Sequence, residues 1–224
     1  MTTINDIIGR ANAQLVDPLW LRWSKSELID YYNDAINAVI IIRPDAGRSD
    51  ETFTCAAGAR QELPAGALRL LEVVRVTGGR GVMPIRREQL DYQFPDWYSR
   101  TGVIERYIFD TRNPRVFYVF PGAVAGSQLE ISVSRLPGAA TIADLAPAAN
   151  TVFPLEELYI NPVLEWILFR AFGKDAESGA NAQLSSQHYQ IFVDLLGVKS
   201  QTDNAPTAGA PPAQPPQQQG GSAQ

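Results

Sequence analysis

The fold of this chain is decided by residues 104–134, IERYIFDTRNPRVFYVFPGAVAGSQLEISVS. Three runs in it are rich in β-branched and aromatic side chains, which favour strands: residues 104–109, 115–120 and 128–134. They are separated by DTRNP at 110–114 and by a segment that begins with PG at 121–122, both typical of turns. The pattern predicts a meander of three strands in an antiparallel sheet.

The sequence just upstream is also strand-like. From Glu51 the period is two, with Phe53 and Cys55 alternating with threonines, and the same alternation returns at 73–76. Glycine-rich residues 77–81 follow as a predicted hairpin turn, because no lysine–hydroxyl pair of a phosphate-binding loop accompanies them. We predict a short helix over 86–94 and an aromatic-rich loop over 95–100.

Helical patterns lie on both sides of this β region. Residues 3–16 carry one apolar stripe, and Ser24 with Glu27 forms a capping-box pattern that predicts a second helix, ended by Pro44 and Gly47. Downstream, helical spacing resumes from Leu158, with Pro162 expected either to kink this helix or to begin its main segment, and Gly173 to end it.

A last helix is predicted over about 178–196, capped by Gly197. The residues it is expected to bury are Ala182, Leu184, Tyr189, Phe192 and Leu196. The predicted fold class is α+β: a helical hairpin (1–50), an inserted antiparallel β-sheet domain (51–150), C-terminal helices packing on the hairpin as a bundle (151–200), and an extended Pro/Gln-rich arm (201–224).

Composition limits the possible functions. The chain has 24 acidic and 19 basic residues, a net charge of -5, which disfavours free nucleic-acid binding. A single cysteine and a single histidine cannot build a disulfide or a Cys/His zinc site within one chain. The first residues lack signal-peptide features and no apolar run reaches about 20 residues, so we expect a soluble protein made in the cytoplasm.

Catalytic patterns are weak. Cys55 and His188 are the only nucleophile–base pair worth weighing, and neither has a flanking signature. Glu156 and Glu157 are adjacent, so on a helix they point about 100° apart and cannot face one another as acid and base. GKD at 173–175 lacks the rest of a phosphate-binding loop. We expect no enzyme and no cofactor or metal, with a hydrolase as the less favoured alternative.

Other residues are candidates for protein contacts. The dense arginines from Arg69 to Arg87 are equally typical of a solvated sheet face and of ion pairing with an acidic neighbour. Aromatic side chains cluster at 20–32 and at 94–98; core packing is favoured for Trp23 and Tyr32. The predicted inter-subunit or tail-partner contacts are Arg75, Arg80, Arg86, Arg87, Trp97 and Tyr98.

Segments spread along the chain resemble phage head-to-tail adaptor proteins of the tail tubular protein A type. They are TINDII (3–8), WSKSEL (23–28), NDA (33–35), RPDA (43–46), QELP (61–64), LRLLEVV (68–74), PDW (95–97), YIFD (107–110), PRVFYVFP (114–121), Tyr159, RAF (170–172), KDAE (174–177), NA (181–182) and HY (188–189). Their joint order covers most of residues 3–198.

The resemblance implies a structural protein of the virion, assembled in the host cytoplasm. It implies a homo-oligomeric ring, a dodecamer, docked between the portal protein and the tail nozzle or tube, with genomic DNA crossing the lumen without specific binding and no membrane contact. Rival interpretations are a tail-completion or stopper ring and a monomeric binding module.

The Pro/Gln-rich arm, residues 201–224, matches no sequence common to that family. Its composition leaves little apolar surface to offset ordering entropy, so we expect an extended arm that needs a partner. The predicted portal-binding residues are Gln201, Pro206, Pro211, Pro212, Pro215, Pro216 and Gln224.

Overall fold

The computed structural model of the protein describes residues 1–146, 148–174 and 179–203. The helices are α1 (Ile4–Leu15), α2 (Lys25–Ile42), α3 (Arg87–Gln93), α4 (Ile160–Gly173) and α5 (Gly179–Asp203). The strands are β1 (Arg48–Thr54), β2 (Gly58–Glu62), β3 (Ala67–Val76), β4 (Met83–Pro84), β5 (Arg106–Phe109), β6 (Val116–Ala123) and β7 (Gln128–Arg135). The predicted α+β class is confirmed.

Helix α2 begins where the Ser24–Glu27 pattern predicts. The Ser24 hydroxyl accepts from the Glu27 backbone N–H at 3.2 Å. The Glu27 carboxylate interacts in turn with the Ser24 backbone N–H, one of the contacts that lower its pKa. It also accepts from the Tyr31 hydroxyl and from Lys174 Nζ, each at 2.8 Å.

The helical core is organised by α4. This helix packs against α1, α2 and α5, and the apolar stripes of α1 and α2 supply the facing side chains. Fully buried members include Ile7, Leu28, Val39, Val163 and Ile167. Burying a side chain of this kind contributes about 1.5–3 kcal/mol, so this core is the main source of stability for the helices.

The strands form two sheets, and the predicted single meander is wrong in one pairing. Strands β5 and β6 pair antiparallel as expected, in a mixed sheet of order β2-β6-β5-β4 whose last pair is parallel. Strand β7 instead lies between β1 and β3 in a separate antiparallel sheet.

Burial explains why β6 and β7 separate. Strand β6 is apolar at nearly every position and needs cover on two faces, whereas β7 alternates Leu129, Ile131 and Val133 with polar residues and needs apolar cover on one. The chain turns between them, with Gly126 at a φ of 83°, and places the two sheets on either side of one core. Phe117 and Val119 from one sheet meet Leu129 and Ile131 from the other in this core.

A third core covers the remaining face of the mixed sheet. The predicted short helix is confirmed as α3, and the aromatic-rich loop follows it without helix or strand. Leu90 of α3 and Trp97 of the loop pack with Ala59, Ile108 and Phe120 of the sheet. The loop is therefore a structural part of the β region.

The C-terminal helices match the prediction in part. Pro162 lies in the first turn of α4, where it begins the main helical segment, and α4 ends at Gly173 as expected. The predicted cap at Gly197 is wrong: α5 continues to Asp203, because glycine permits a left-handed cap without requiring one.

The predicted buried face of α5 is also only partly correct. Phe192 and Leu196 are buried, but Leu184 and Tyr189 are 37% and 45% exposed. The reason is that α5 packs mainly on a single neighbour, α4, so only a narrow stripe is covered.

Candidate interaction surfaces

Three of the four predicted contact arginines have acidic neighbours within the chain. Arg75 Nε donates to Glu130 Oε2 at 2.7 Å across β3 and β7, and Arg80 pairs with Glu105. Arg87 lies 3.6 Å from an aspartate one turn later on α3. Exposed pairs of this kind contribute about 0–1 kcal/mol and can be exchanged for a partner's carboxylate. Their role in subunit or tail contacts stays a prediction.

Arg86 lies beside a groove on the β region. It precedes α3 and lines a recess of about 360 Å³, which continues into a second recess of about 500 Å³. Both recesses share Arg86 with Ile85 and Phe109. The first recess is also lined by charged residues of both signs, Arg87, Glu88, Asp110 and Arg112, so it suits a polar partner segment.

Trp97 and Tyr98 are adjacent in sequence but differ in surroundings. Trp97 is 4% exposed, and its indole N–H donates to Asp91 Oδ1 at 2.6 Å. Tyr98 is 57% exposed and its ring contacts those of Trp97 and Tyr118. Trp97 is therefore needed by the third core and offers little surface to a partner, whereas Tyr98 is accessible.

The loop that joins α1 to α2, residues 16–23, is here called the hairpin tip. The Asp17 carboxylate accepts three backbone N–H bonds, from Leu21 at 3.0 Å, Arg22 at 2.8 Å and Trp23 at 3.0 Å. These bonds hold the pKa of Asp17 below its ordinary value, and the bond from the Trp23 backbone N–H has the largest effect. One side chain thus fixes the path of the whole loop.

Two further contacts anchor the hairpin tip to the end of α4. The Trp23 indole N–H donates to the Ala171 carbonyl at 3.0 Å, and Lys174 Nζ donates to the Arg22 carbonyl at 3.1 Å. Lys174 also forms an ion pair with Glu27. Burial raises the pKa of the Glu27 carboxyl, but the hydrogen bonds from Lys174 and Tyr31 outweigh this effect and lower it. Trp23 and Tyr32 are both buried, as predicted.

The hairpin tip carries exposed aliphatic side chains on a constrained backbone. Val16, Leu19 and Leu21 are 81%, 72% and 82% exposed. Val16 and Trp20 have φ values of 53° and 57°, a region that non-glycine residues rarely adopt. The sequence interpretation missed these three aliphatic residues. Their position outside the apolar stripes of the two helices was the signal that could have identified them as exposed.

A second apolar feature lies along α2. Residues 136–139 and Pro154 run beside the helix and enclose a groove of about 260 Å³. Ile36, Leu136 and Pro137 supply apolar lining, and Asn37 lies at the α2 side. Leu136 and Asn37 are exposed.

The candidate catalytic pair is not brought together. Cys55 is buried in the core between the two sheets, and burial raises the pKa of its thiol to about 11, which disfavours the reactive thiolate. His188 lies on α5, where Nδ1 is 2.6 Å from Glu165 Oε2 and the ring stacks on Phe172. A hydrolase that pairs Cys55 with His188 is therefore contradicted.

Within residues 1–146, 148–174 and 179–203, no group of three or more histidine, cysteine or acidic side chains could hold a metal ion. Helices in the same part of the chain are too short or too polar to cross a membrane.

The predicted portal-binding residues fall almost entirely outside the described residues. Gln201 is in the last turn of α5. Pro206, Pro211, Pro212, Pro215, Pro216 and Gln224 lie beyond Asp203, outside the part of the chain that the structure describes.

A helical body thus carries an inserted β region, with apolar features at its surface. Residues 2–214 match the family model of SU10 adaptor proteins, so the chain belongs to this family of phage head-tail adaptors, structural components of the virion. Among curated proteins, no match was found.

Proposed function

We propose that this protein forms the ring that joins the portal of a phage head to the tail nozzle or tube. In this proposal the ring is a dodecamer located at the head-tail junction, its lumen passes the genome during ejection, and the protein catalyses no reaction. The observation that carries the proposal is the family match over residues 2–214.

The described surfaces support a role in assembly. The hairpin tip and the α2 groove are two separate places where a partner can bury apolar surface, and the recess beside Arg86 offers charged groups. The net charge of -5 favours passage of DNA without adhesion, because like charges repel. We assign the helices from 1–50 and 151–200 to the ring wall and the β insertion, 51–150, to the tail partner.

The portal contact is assigned to residues 201–224, on the basis of their Pro/Gln-rich composition. The matched truncation ends at Asp203, which keeps α5 whole. Native mass spectrometry of each version mixed with the phage's portal ring tests the assignment. We expect stoichiometric decoration by the full-length chain and weaker decoration by the truncated one.

Two other outcomes would change the proposal. Equal decoration by both versions would move the portal contact from the arm to the folded body. Absence of any association with the portal at every concentration would contradict the adaptor ring and favour a tail-completion or stopper ring.

A further inference from the structure

The hairpin tip has the properties of a preformed binding element. Three aliphatic side chains, Val16, Leu19 and Leu21, are exposed on a loop whose backbone is fixed by Asp17 and anchored through Trp23. Strained backbone persists only where surrounding bonds over-determine it, and such strain concentrates at functional sites. A rigid apolar tip loses little conformational entropy when it binds.

The groove beside α2 fits side chains better than it fits a ligand. Its volume of about 260 Å³ is below the roughly 300–1,000 Å³ typical of small-molecule sites. Its lining is chiefly aliphatic, from Ile36, Leu136 and Pro137, so branched aliphatic side chains are its natural occupants.

The tip and the groove lie apart along one molecule. The tip ends at Trp23, just before α2 begins at Lys25, whereas the α2 residues that line the groove, from Tyr32 to Asn37, lie seven to twelve residues further along the helix. At 1.5 Å of rise per residue this places the groove about 10 to 18 Å from the start of the helix. The Asp17 bonds prevent the loop from bending back over that distance.

We infer that the hairpin tip of one copy inserts Leu19 and Leu21 into the α2 groove of the next copy. Such a contact joins two different surfaces, so it can repeat from each copy to the next. The copies form a closed ring when the rotation between adjacent subunits is a whole fraction of a full turn. The inference rests on the proposed ring and names the surfaces that hold adjacent subunits together.

Charge supports a second copy as the occupant. Arg22 and Lys25 flank the tip, with their cationic groups over the rings of Trp23 and Trp20. Asp30 is exposed and precedes Asn33 and Asn37 of the groove by three and seven residues, so it shares their face of α2. The tip thus brings cations to a carboxylate at the groove's edge.

Site-directed cross-linking tests the contact in the assembled state. In a Cys55→Ala background, Leu21→Cys protein is mixed with Asn37→Cys protein in the presence of the portal ring and oxidised. We expect disulfide-linked dimers from this mixture. The matched control replaces Asn37→Cys with Val124→Cys, which is also at an exposed position but in the β region, and should give at least tenfold less dimer.

A variant of the tip tests the same contact without cross-linking. Leu19→Ser with Leu21→Ser should leave the far-ultraviolet circular dichroism unchanged and remove the wild-type oligomer from native mass spectra. An oligomer of unchanged mass in this variant, or rings that give no cross-link above the control, would overturn the contact while leaving the proposed ring intact. A wild-type chain that never oligomerises, with or without portal, would overturn both.

Discussion

The hairpin tip, residues 16–23, and the loop at 94–100 are both rich in large apolar side chains, yet they use them in opposite ways. In the loop, Trp97 turns inward and completes the third core. In the tip, Trp23 turns inward as an anchor while Leu19 and Leu21 remain in solvent. Both loops attach one tryptophan by its indole N–H, but only the tip presents free aliphatic surface.

The difference follows from what each loop has beneath it. The loop at 94–100 lies over a sheet face that α3 covers incompletely, so its aromatic side chains are drawn in to exclude water. The tip lies at the end of helices whose core is already filled, and Asp17 satisfies its backbone without burying its leucines. Apolar composition alone does not separate a core loop from an interaction loop.

The largest expected effect is at Trp97. Trp97→Ala should lower the free energy of unfolding by about 3–5 kcal/mol, because it empties the third core and leaves Asp91 without its donor. Urea unfolding of the free protein, followed by circular dichroism, measures the loss. Tyr98→Ala is the matched control and should lower the free energy of unfolding clearly less. Equal losses would contradict the assignment of Trp97 to the core and of Tyr98 to the surface.

A smaller effect is expected at the anchor of the tip. Trp23→Phe keeps an aromatic ring but removes the donor to the Ala171 carbonyl, which should cost about 1 kcal/mol in the same unfolding measurement. Trp20→Phe, at the partly buried neighbouring tryptophan, should stay within about 0.5 kcal/mol. The reverse ranking would show that the tip is not held through Trp23.

The contribution of Asp17 should depend on pH. Because the folded state lowers its pKa, the carboxylate stabilises the fold above its ordinary pKa of about 4 and loses that contribution as pH falls through the lower folded value. Asp17→Asn should therefore be destabilising at pH 7, with a difference from wild type that shrinks in acid. Urea unfolding at a series of pH values tests this; a difference that is constant with pH would contradict it.

The smallest effect on stability is expected at Leu21. Leu21→Ser should change the free energy of unfolding by no more than about 0.5 kcal/mol, because the side chain is already 82% exposed. The same urea measurement applies. A large loss would show that Leu21 packs within its own subunit. The contrast with the buried Trp97 would then disappear.

Local signals allowed much of the helical body to be predicted. The stripe of α1, the Ser24 cap of α2 and the end of α4 at Gly173 all depend on neighbours a few residues away. Prediction failed at Gly197, where glycine permits a helix end but α5 continues to Asp203.

The candidate surfaces were less accessible to prediction. The arginines were found because they are dense in sequence, but their pairing with Glu130 and Glu105 depends on how strands and connections meet. Leu19 and Leu21 gave no strong pattern, since exposure of a loop side chain is set by what the rest of the fold has already covered. The groove beside α2 requires residues 136–139 to run along a helix about a hundred positions earlier.

The sequence by itself determined the class of fold and the helix starts, because these follow from local propensity and periodicity. Only the tertiary structure decided that β6 and β7 part into two sheets, that Trp97 is buried while Leu21 is not, and that a rigid tip and an apolar groove occupy separate places on one surface. Those outcomes depend on competition among distant groups for a limited interior, which no local pattern records.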